Sequence, residues 1–192
     1  MEKTVRKYIE ILSEAIGRQP AEKHCITIAI DGRCASGKTT LANALSEALG
    51  GNLFHMDDFF LPKEMRTPER LSQPGGNVHY ERFADEVLAG LASGKPFDYG
   101  VFDCSVMAVT RRVQVQPQCV NLIEGSYSTH PYFGKAYDLT VFLSVPPDEQ
   151  ERRIRLRGGD GAWAAFRDRW IPLEEKYFSA CAVRERADII LD

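Results

Sequence analysis

Hydrophobic positions along the chain follow two periods. Between residues 4 and 16, Val5, Tyr8, Ile9, Leu12 and Ile16 fall on one stripe at helical spacing, which predicts an amphipathic helix ending near Gly17. Short apolar runs of strand length follow at 25–30 (CITIAI), 52–56 (NLFHM), 119–123 (CVNLI), 139–145 (LTVFLSV) and 187–191 (ADIIL). Helical stripes separate them. Leu41, Ala44, Leu45, Ala48 and Leu49 follow the first run, and Tyr80, Phe83, Val87, Leu88 and Leu91 lie in 79–91. An Arg-rich helix and a glycine break at 158–161 then lead into a helix over about 162–183. That last helix carries Trp163, Phe166, Trp170, Leu173 and Tyr177 on one stripe, with Pro172 expected to kink or interrupt it. Residues 57–77, rich in Pro, Gly and charge, read as a long loop or insertion. Residues 97–115 read as a less regular β-like region, with short runs at 97–99 and 106–115. Buried strands alternating with helices specify an α/β fold, a mainly parallel sheet of about five strands with helices on both faces. Ligands of such sheets sit beyond the carboxyl ends of the strands.

One junction carries recognisable chemistry. Behind the first strand run Gly32, Arg33, Cys34, Ala35, Ser36, Gly37, Lys38, Thr39 and Thr40, which fits G-x-x-x-x-G-K-[ST] between a strand and a helix. The two glycines let the backbone wrap until its N–H groups point at phosphate oxygens, and the helix start adds partial positive charge. Lys38 would reach the β- and γ-phosphates, and the Thr39 hydroxyl would sit on Mg²⁺. Asp57 lies just past the second strand and Glu124 just past the third, so both are expected on the same rim.

Composition bounds the rest. The 192 residues are 44% hydrophobic and 27% charged, which is globular, and suffice for one domain with a sizeable core. A net charge of −3 argues against a nucleic-acid or acidic-membrane surface. No window has transmembrane length, and the first residues lack the apolar core of a signal peptide. The five cysteines, Cys25, Cys34, Cys104, Cys119 and Cys181, are scattered without a C-x-x-C pair. Neither a disulfide frame nor a zinc site is suggested, and a reduced, cytoplasmic setting is expected. Cys25 and Cys119 open strands and are expected to behave as small buried residues.

The combination GRCASGKTT, HMDDFFLP, GGNVHYERF, LIEGSY and the Arg-rich segment before a glycine break resembles the uridine kinase-like P-loop kinases, a group with pantothenate kinase-like and phosphoribulokinase-like relatives. The likeness spans about 25–178. It implies a three-layer P-loop NTPase sandwich with an Arg-rich lid. One kinase domain is then expected over 1–192, with a substrate-binding insertion at about 57–115 and the lid at about 152–170. It further implies transfer of the ATP γ-phosphoryl to a hydroxyl of a small metabolite, with Mg²⁺. A nucleoside leads as acceptor, and a pantothenate- or sugar-like alcohol follows.

By position, Asp57 matches the carboxylate that accepts the hydroxyl proton, with Asp58 as competitor, and Glu124 matches the acid that holds Mg²⁺ beside Thr39. Among Arg152, Arg153, Arg155 and Arg157, the pair Arg153 and Arg157 share a helical face and are the expected phosphate ligands. Ion pairs with Glu149 and Glu151 are expected to take at least two of the others. His79 stands where the family commonly carries an acid that contacts sugar hydroxyls, and Tyr99 matches an aromatic that stacks near the base. The histidine expected about five residues later is replaced by Asp103 and Cys104. Tyr127, His130 and Tyr132 either line the acceptor pocket or pack in their loop. No guanine-reading N-K-x-D stretch supports a GTPase switch. An ATP-hydrolysing module without a small acceptor is the remaining alternative, and homo-oligomerisation is left open.

Overall fold

The computed structural model describes residues 2–19 and 25–192. Its centre is β1 (Ile26–Gly32), buried at every position but one. Such a strand forms only where neighbours cover both edges and both faces. β5 (Val120–Glu124) and β6 (Leu139–Leu143) flank it, with β2 (Asn52–His55) and β7 (Ile189–Leu191) outside, in the order β2-β5-β1-β6-β7. Every pair is parallel. The register sets Ile30 and His55 on either side of Glu124 at the carboxyl edge.

The strand period of two sends successive side chains to opposite layers. Leu122 joins Ile28, Ile30, Leu41, Leu45 and Leu12 on one face; Ile123 joins Phe54, Phe59, Phe83 and Tyr177 on the other. The first layer is closed by α1 (Glu2–Gly17) and α2 (Lys38–Leu49), with Leu12 fully buried as its stripe predicts. Each buried Leu or Phe contributes about 1.5–3 kcal/mol, against about 0–1 for an exposed ion pair, so these two layers hold the sheet.

The segment read as a long loop is built of short pieces. A 3₁₀ turn at Met56–Phe59 carries Asp57 and Asp58, a second turn spans Lys63–Met65, and α3 (Pro68–Ser72) is capped by the Thr67 hydroxyl. Phe60 pairs antiparallel with Val78, and Arg70 ties the return of the chain by donating to the carbonyls of Gly76 and Val78 and to Glu81. The predicted second helix is a composite: α4 (Tyr80–Phe83), a π-turn at Ala84–Leu88, and α5 (Ala89–Ser93). The irregular β-like region is instead a paired hairpin, β3 (Phe97–Asp103) with β4 (Ala108–Val115), broken by one register shift between Val101 and Phe102.

The expected glycine break is present: α6 (Pro147–Ala165) is two helical segments that meet at a kink at Gly159, where φ is 70° and ψ −168°. A π-turn at Phe166–Trp170 then precedes α7 (Ile171–Cys181) and α8 (Val183–Arg186). Trp170 keeps helical angles (φ −75°, ψ −45°), so the helix expected over 162–183 carries on through this region but is interrupted by the π-turn just before Pro172. Of the five stripe residues in this region only Tyr177 is buried. One further expectation is corrected. Cys25 and Cys119 are exposed, because both precede their strands at the amino edge of the sheet, where the Cys119 carbonyl receives the Ile26 N–H. None of the described helices is long and apolar enough to cross a membrane.

Candidate active site at the carboxyl edge of the sheet

The loop from Gly32 to Lys38 leaves β1 and enters α2. Gly32 has φ 133°, and a Cβ there would lie 2.0 Å from the Leu143 carbonyl oxygen, so only glycine passes β6 this closely. Gly37, at φ 106°, turns the chain into α2. Two later helices hold the loop from outside. The Gln150 amide donates to the Cys34 carbonyl at 2.9 Å, and Glu174 Oε2 accepts from the Cys34 N–H at 2.9 Å. Burial and the neighbouring Glu174 charge push the Cys34 thiol far up, so it is an inert packing group.

Lys38 is buried and its Nζ donates to the carbonyls of Gly32 and Arg33, each at 2.8 Å. The Ser126 hydroxyl lies 3.4 Å from Nζ and donates to Glu174 Oε1 at 2.6 Å. The Thr39 hydroxyl donates to Glu124, with oxygens at 3.1 and 3.2 Å. Glu124 is buried and also meets His55 Nδ1 at 2.6 Å; that bond raises the imidazole pKa against the opposing effect of burial.

Asp57 joins Lys38, Thr39 and Glu124 on the wall of one cavity of about 480 Å³. Its carboxyl is reachable from the cavity yet crowded by protein. Burial raises its pKa, as does the charge of Glu124, while Lys38 and His55 oppose the shift. Asp58 faces away, towards the hairpin, where the Tyr99 hydroxyl donates to it at 3.3 Å.

The arginines of α6 divide. Arg152 pairs with Glu149, and Arg155 with Glu151 and Asp160. Arg153 also bonds Glu149, and donates to the carbonyls of Ala35 and Ser36 at 3.1 and 3.0 Å, gripping the outer side of the loop. Arg157 makes no ion pair among the described residues. Its guanidinium lies 5.7 Å from the Phe166 ring centre and reaches both the Asp57 cavity and a second one of about 500 Å³, lined by Ser36 to Leu41, Arg152, Leu156 and Val5 of α1.

The acceptor candidates do not all converge. Tyr127 lines the cavity at φ 76°, a strained position held by its N–H donating to buried Asp31. His79 caps α4, accepting from the Arg82 N–H at 3.3 Å, and does not line the cavity. Tyr99 is buried between Phe54 and Phe59 and is likewise not on its wall. His130 stacks on Tyr80, 4.4 Å between centres, and Tyr132 is exposed beside it.

Sequence reasoning passed over several wall residues: Glu174, Ser126, Phe60, Arg66 and Asn77. Phe166 and Trp170, two members of the helical stripe, also line the cavity. Trp170, Glu174 and Tyr177 are spaced four and three apart, which was the available signal for Glu174. Arg66 lies in an irregular segment and gave none.

The donors also bear on a metal. Among the described residues no three His, Cys, Asp or Glu side chains cluster to enclose a cation. A hydroxyl and a carboxylate, both oxygen, suit Mg²⁺, which keeps water and phosphate as its other ligands.

No family model matches the chain. Solved structures do. A possible uridine kinase from Bacillus stearothermophilus superposes with a TM-score of 0.75 at 23% identity over all of both chains. A candidate fructose transport system kinase from Silicibacter sp. TM1040 gives 0.73 at 22%, covering 96% of this chain and 98% of the other. D-glycerate 3-kinase from Cryptococcus neoformans var. grubii gives 0.62 at 16%, over 91% and 87%. At these identities the likeness establishes the architecture: the chain has the fold of P-loop kinases, as its resemblance to the uridine kinase-like group implies.

Proposed function

We propose that the chain is an ATP-dependent phosphotransferase that moves the γ-phosphoryl group to a hydroxyl of a small metabolite. The observation that carries this reading is the placement of Lys38, Thr39, Glu124 and Asp57, from three separate stretches of chain, around one cavity. Lys38 releases two loop carbonyls to engage the incoming β- and γ-phosphates. Thr39 and Glu124 would hold Mg²⁺, which supplies charge neutralisation on the phosphates when bound. Asp57 takes the acceptor proton as the new O–P bond forms and the bond to the β-phosphate oxygen breaks, releasing ADP. Its raised pKa makes it a better proton acceptor than an ordinary surface carboxylate. Arg157 steadies the transferring group, while Arg153 fixes the loop rather than the phosphate. The second cavity, beside Ser36 to Leu41, takes the remainder of ATP.

On this reading 1–192 is one kinase domain, with the acceptor insertion at about 57–115 and the lid at about 152–170, working in the cytoplasm on a small molecule rather than on nucleic acid or lipid. A nucleoside acceptor has the support of sequence resemblance and of the possible uridine kinase among the structural neighbours. A non-nucleoside alcohol has the support of the site, because His79 and Tyr99 stand off the cavity wall and Arg66 stands on it. Acceptor-dependent ADP release across nucleosides, pantothenate, sugars and glycerate, with ATP and Mg²⁺, tests the reading. Slow hydrolysis indifferent to every acceptor would overturn it.

A further inference from the structure

The arginines of the insertion are largely occupied by the protein itself. Arg70 is bound to Glu81 and two carbonyls, Arg82 to Glu86 and the carbonyls of Gly100 and Asp58, and Arg112 to Asp98. Arg111 is exposed on the hairpin, where its charge acts on Asp58. Arg66 differs from all four. Its Nε donates to the Leu61 carbonyl at 2.9 Å, it makes no ion pair among the described residues, and it lines the same cavity as Asp57.

Its position is built rather than incidental. Leu61 is fully buried, and its N–H donates to the Asn77 carbonyl at 3.3 Å while its own carbonyl takes Arg66. One peptide pair therefore fixes both Arg66 and Asn77, two wall residues beyond Asp57, with Phe60 and Trp170 beside them. Arg66 is thus a half-buried cation on the cavity wall with no ion pair among the described residues, placed to give an anion in the cavity a permanently charged partner. The donor end already matches Lys38 and Arg157 with phosphate, Asp57 and Glu124. Arg66 is the cation left over at the acceptor end. Cys104 registers both groups: burial raises its thiol pKa, Arg66 lowers it and Asp57 raises it. Because Asp57 and Arg66 line one cavity of about 480 Å³, a single small molecule can reach both.

We propose that Arg66 is an anion subsite for the acceptor, which is a small alcohol bearing a carboxylate or phosphate, its hydroxyl on Asp57 and its anionic group on Arg66. This rests on the phosphotransferase reading above. A guanidinium binds either anion through parallel charge-assisted hydrogen bonds, so the two head groups must be told apart by experiment.

Three-carbon probes separate them: D-glycerate for a carboxylate, glycerol 3-phosphate for a phosphate, and glycerol and glyceramide as neutral controls, with uridine as a neutral nucleoside. Each is titrated calorimetrically into the protein with ADP and Mg²⁺ present, and assayed separately for ADP release from ATP. The expected result is that one anionic probe binds about tenfold to hundredfold more tightly than its neutral partners, the size of one charged hydrogen-bond pair. Arg66→Gln should erase that preference through KM rather than kcat, and Arg66→Lys should restore part of it. Arg66-dependent anion binding without turnover would keep the subsite and remove the kinase reading. Turnover of uridine or glycerol that is unchanged in Arg66→Gln would keep the kinase and remove the subsite. Loss of ATP affinity instead of acceptor affinity in Arg66→Gln would also overturn the proposal, and so would equal binding of charged and neutral probes by the native chain, which needs no variant to fold.

Discussion

Glu174 Oε2 accepts a hydrogen bond from the Cys34 N–H across 140 residues of sequence, at 2.9 Å. Its other oxygen takes the Ser126 hydroxyl at 2.6 Å, and that hydroxyl stands beside Lys38. α7 is therefore joined to the interior of the loop between β1 and α2. Glu174→Ala leaves a buried N–H and a hydroxyl without their acceptor, a loss of about 1–3 kcal/mol. Its melting temperature should fall and its KM for ATP should rise. Glu174→Gln, which keeps an acceptor oxygen, should recover most of the stability. Equal melting temperatures for the native chain and Glu174→Ala would show that the link holds nothing.

Asp57 and Asp58 are neighbours with different surroundings, and kinetics should separate them. Asp57→Asn should lower kcat by about 10²–10⁴, the usual worth of a positioned base, with little change in ATP affinity. Asp58→Asn keeps an acceptor oxygen for the Tyr99 hydroxyl and should change rate and stability little. A base must be deprotonated to work, and the Asp57 pKa is raised by burial first and by Glu124 second. The rate should therefore fall on acidification at a pH above the ordinary carboxylate value of 3.8. That acid limb should vanish in Asp57→Asn. If Asp58→Asn erases it instead, the base is Asp58.

The two facing lid arginines should differ in kind. Arg157→Ala should lower kcat by tenfold or more, roughly the share of one charge-stabilising donor. Arg153→Ala should loosen the loop at Ala35 and Ser36 and act on KM for ATP. The same kcat loss in both variants would show that both touch the transferring phosphate.

His55 offers a test by equilibrium unfolding. Its folded pKa is raised above 6.5 chiefly by the hydrogen bond to Glu124. A group of this kind contributes stability that is fully present below 6.5 and is lost as pH rises through the folded value. Stability of the unliganded protein should therefore decline over that window, and His55→Asn should flatten the decline. An unchanged pH profile in His55→Asn would place the charge elsewhere.

What could be read from the sequence follows from how local each signal is. The phosphate loop was legible because its geometry is written in consecutive residues, from Gly32 to Thr39, and because β1 and β5 read as short, mostly apolar runs at 25–30 and 119–123, interrupted only by Thr27 and Asn121. Asp57 and Glu124 followed from the rule that puts ligands at strand ends. The acceptor side was not legible, because its wall comes from segments whose pairing is tertiary. Arg66 and Asn77 reach the cavity only through the Phe60–Val78 bridge and the Leu61 peptide. Tyr99 could not be placed without the hairpin register, which turns it towards Phe54 and Phe59. The aromatic stripe of the last helices had helical spacing, but the π-turn at Phe166–Trp170 rotates Phe166 and Trp170 onto the cavity wall.

The central claim is transfer of the γ-phosphoryl group to a hydroxyl within the Asp57 cavity. It is tested most directly by following label from γ-³²P-ATP in the native chain, Lys38→Ala and Asp57→Asn, each supplied with Mg²⁺ and the best acceptor of the screen. Label should appear on the acceptor with the native chain and be lost in both variants while they keep the native melting profile. Label released only as inorganic phosphate, or transfer at the native rate by Lys38→Ala, would contradict the account.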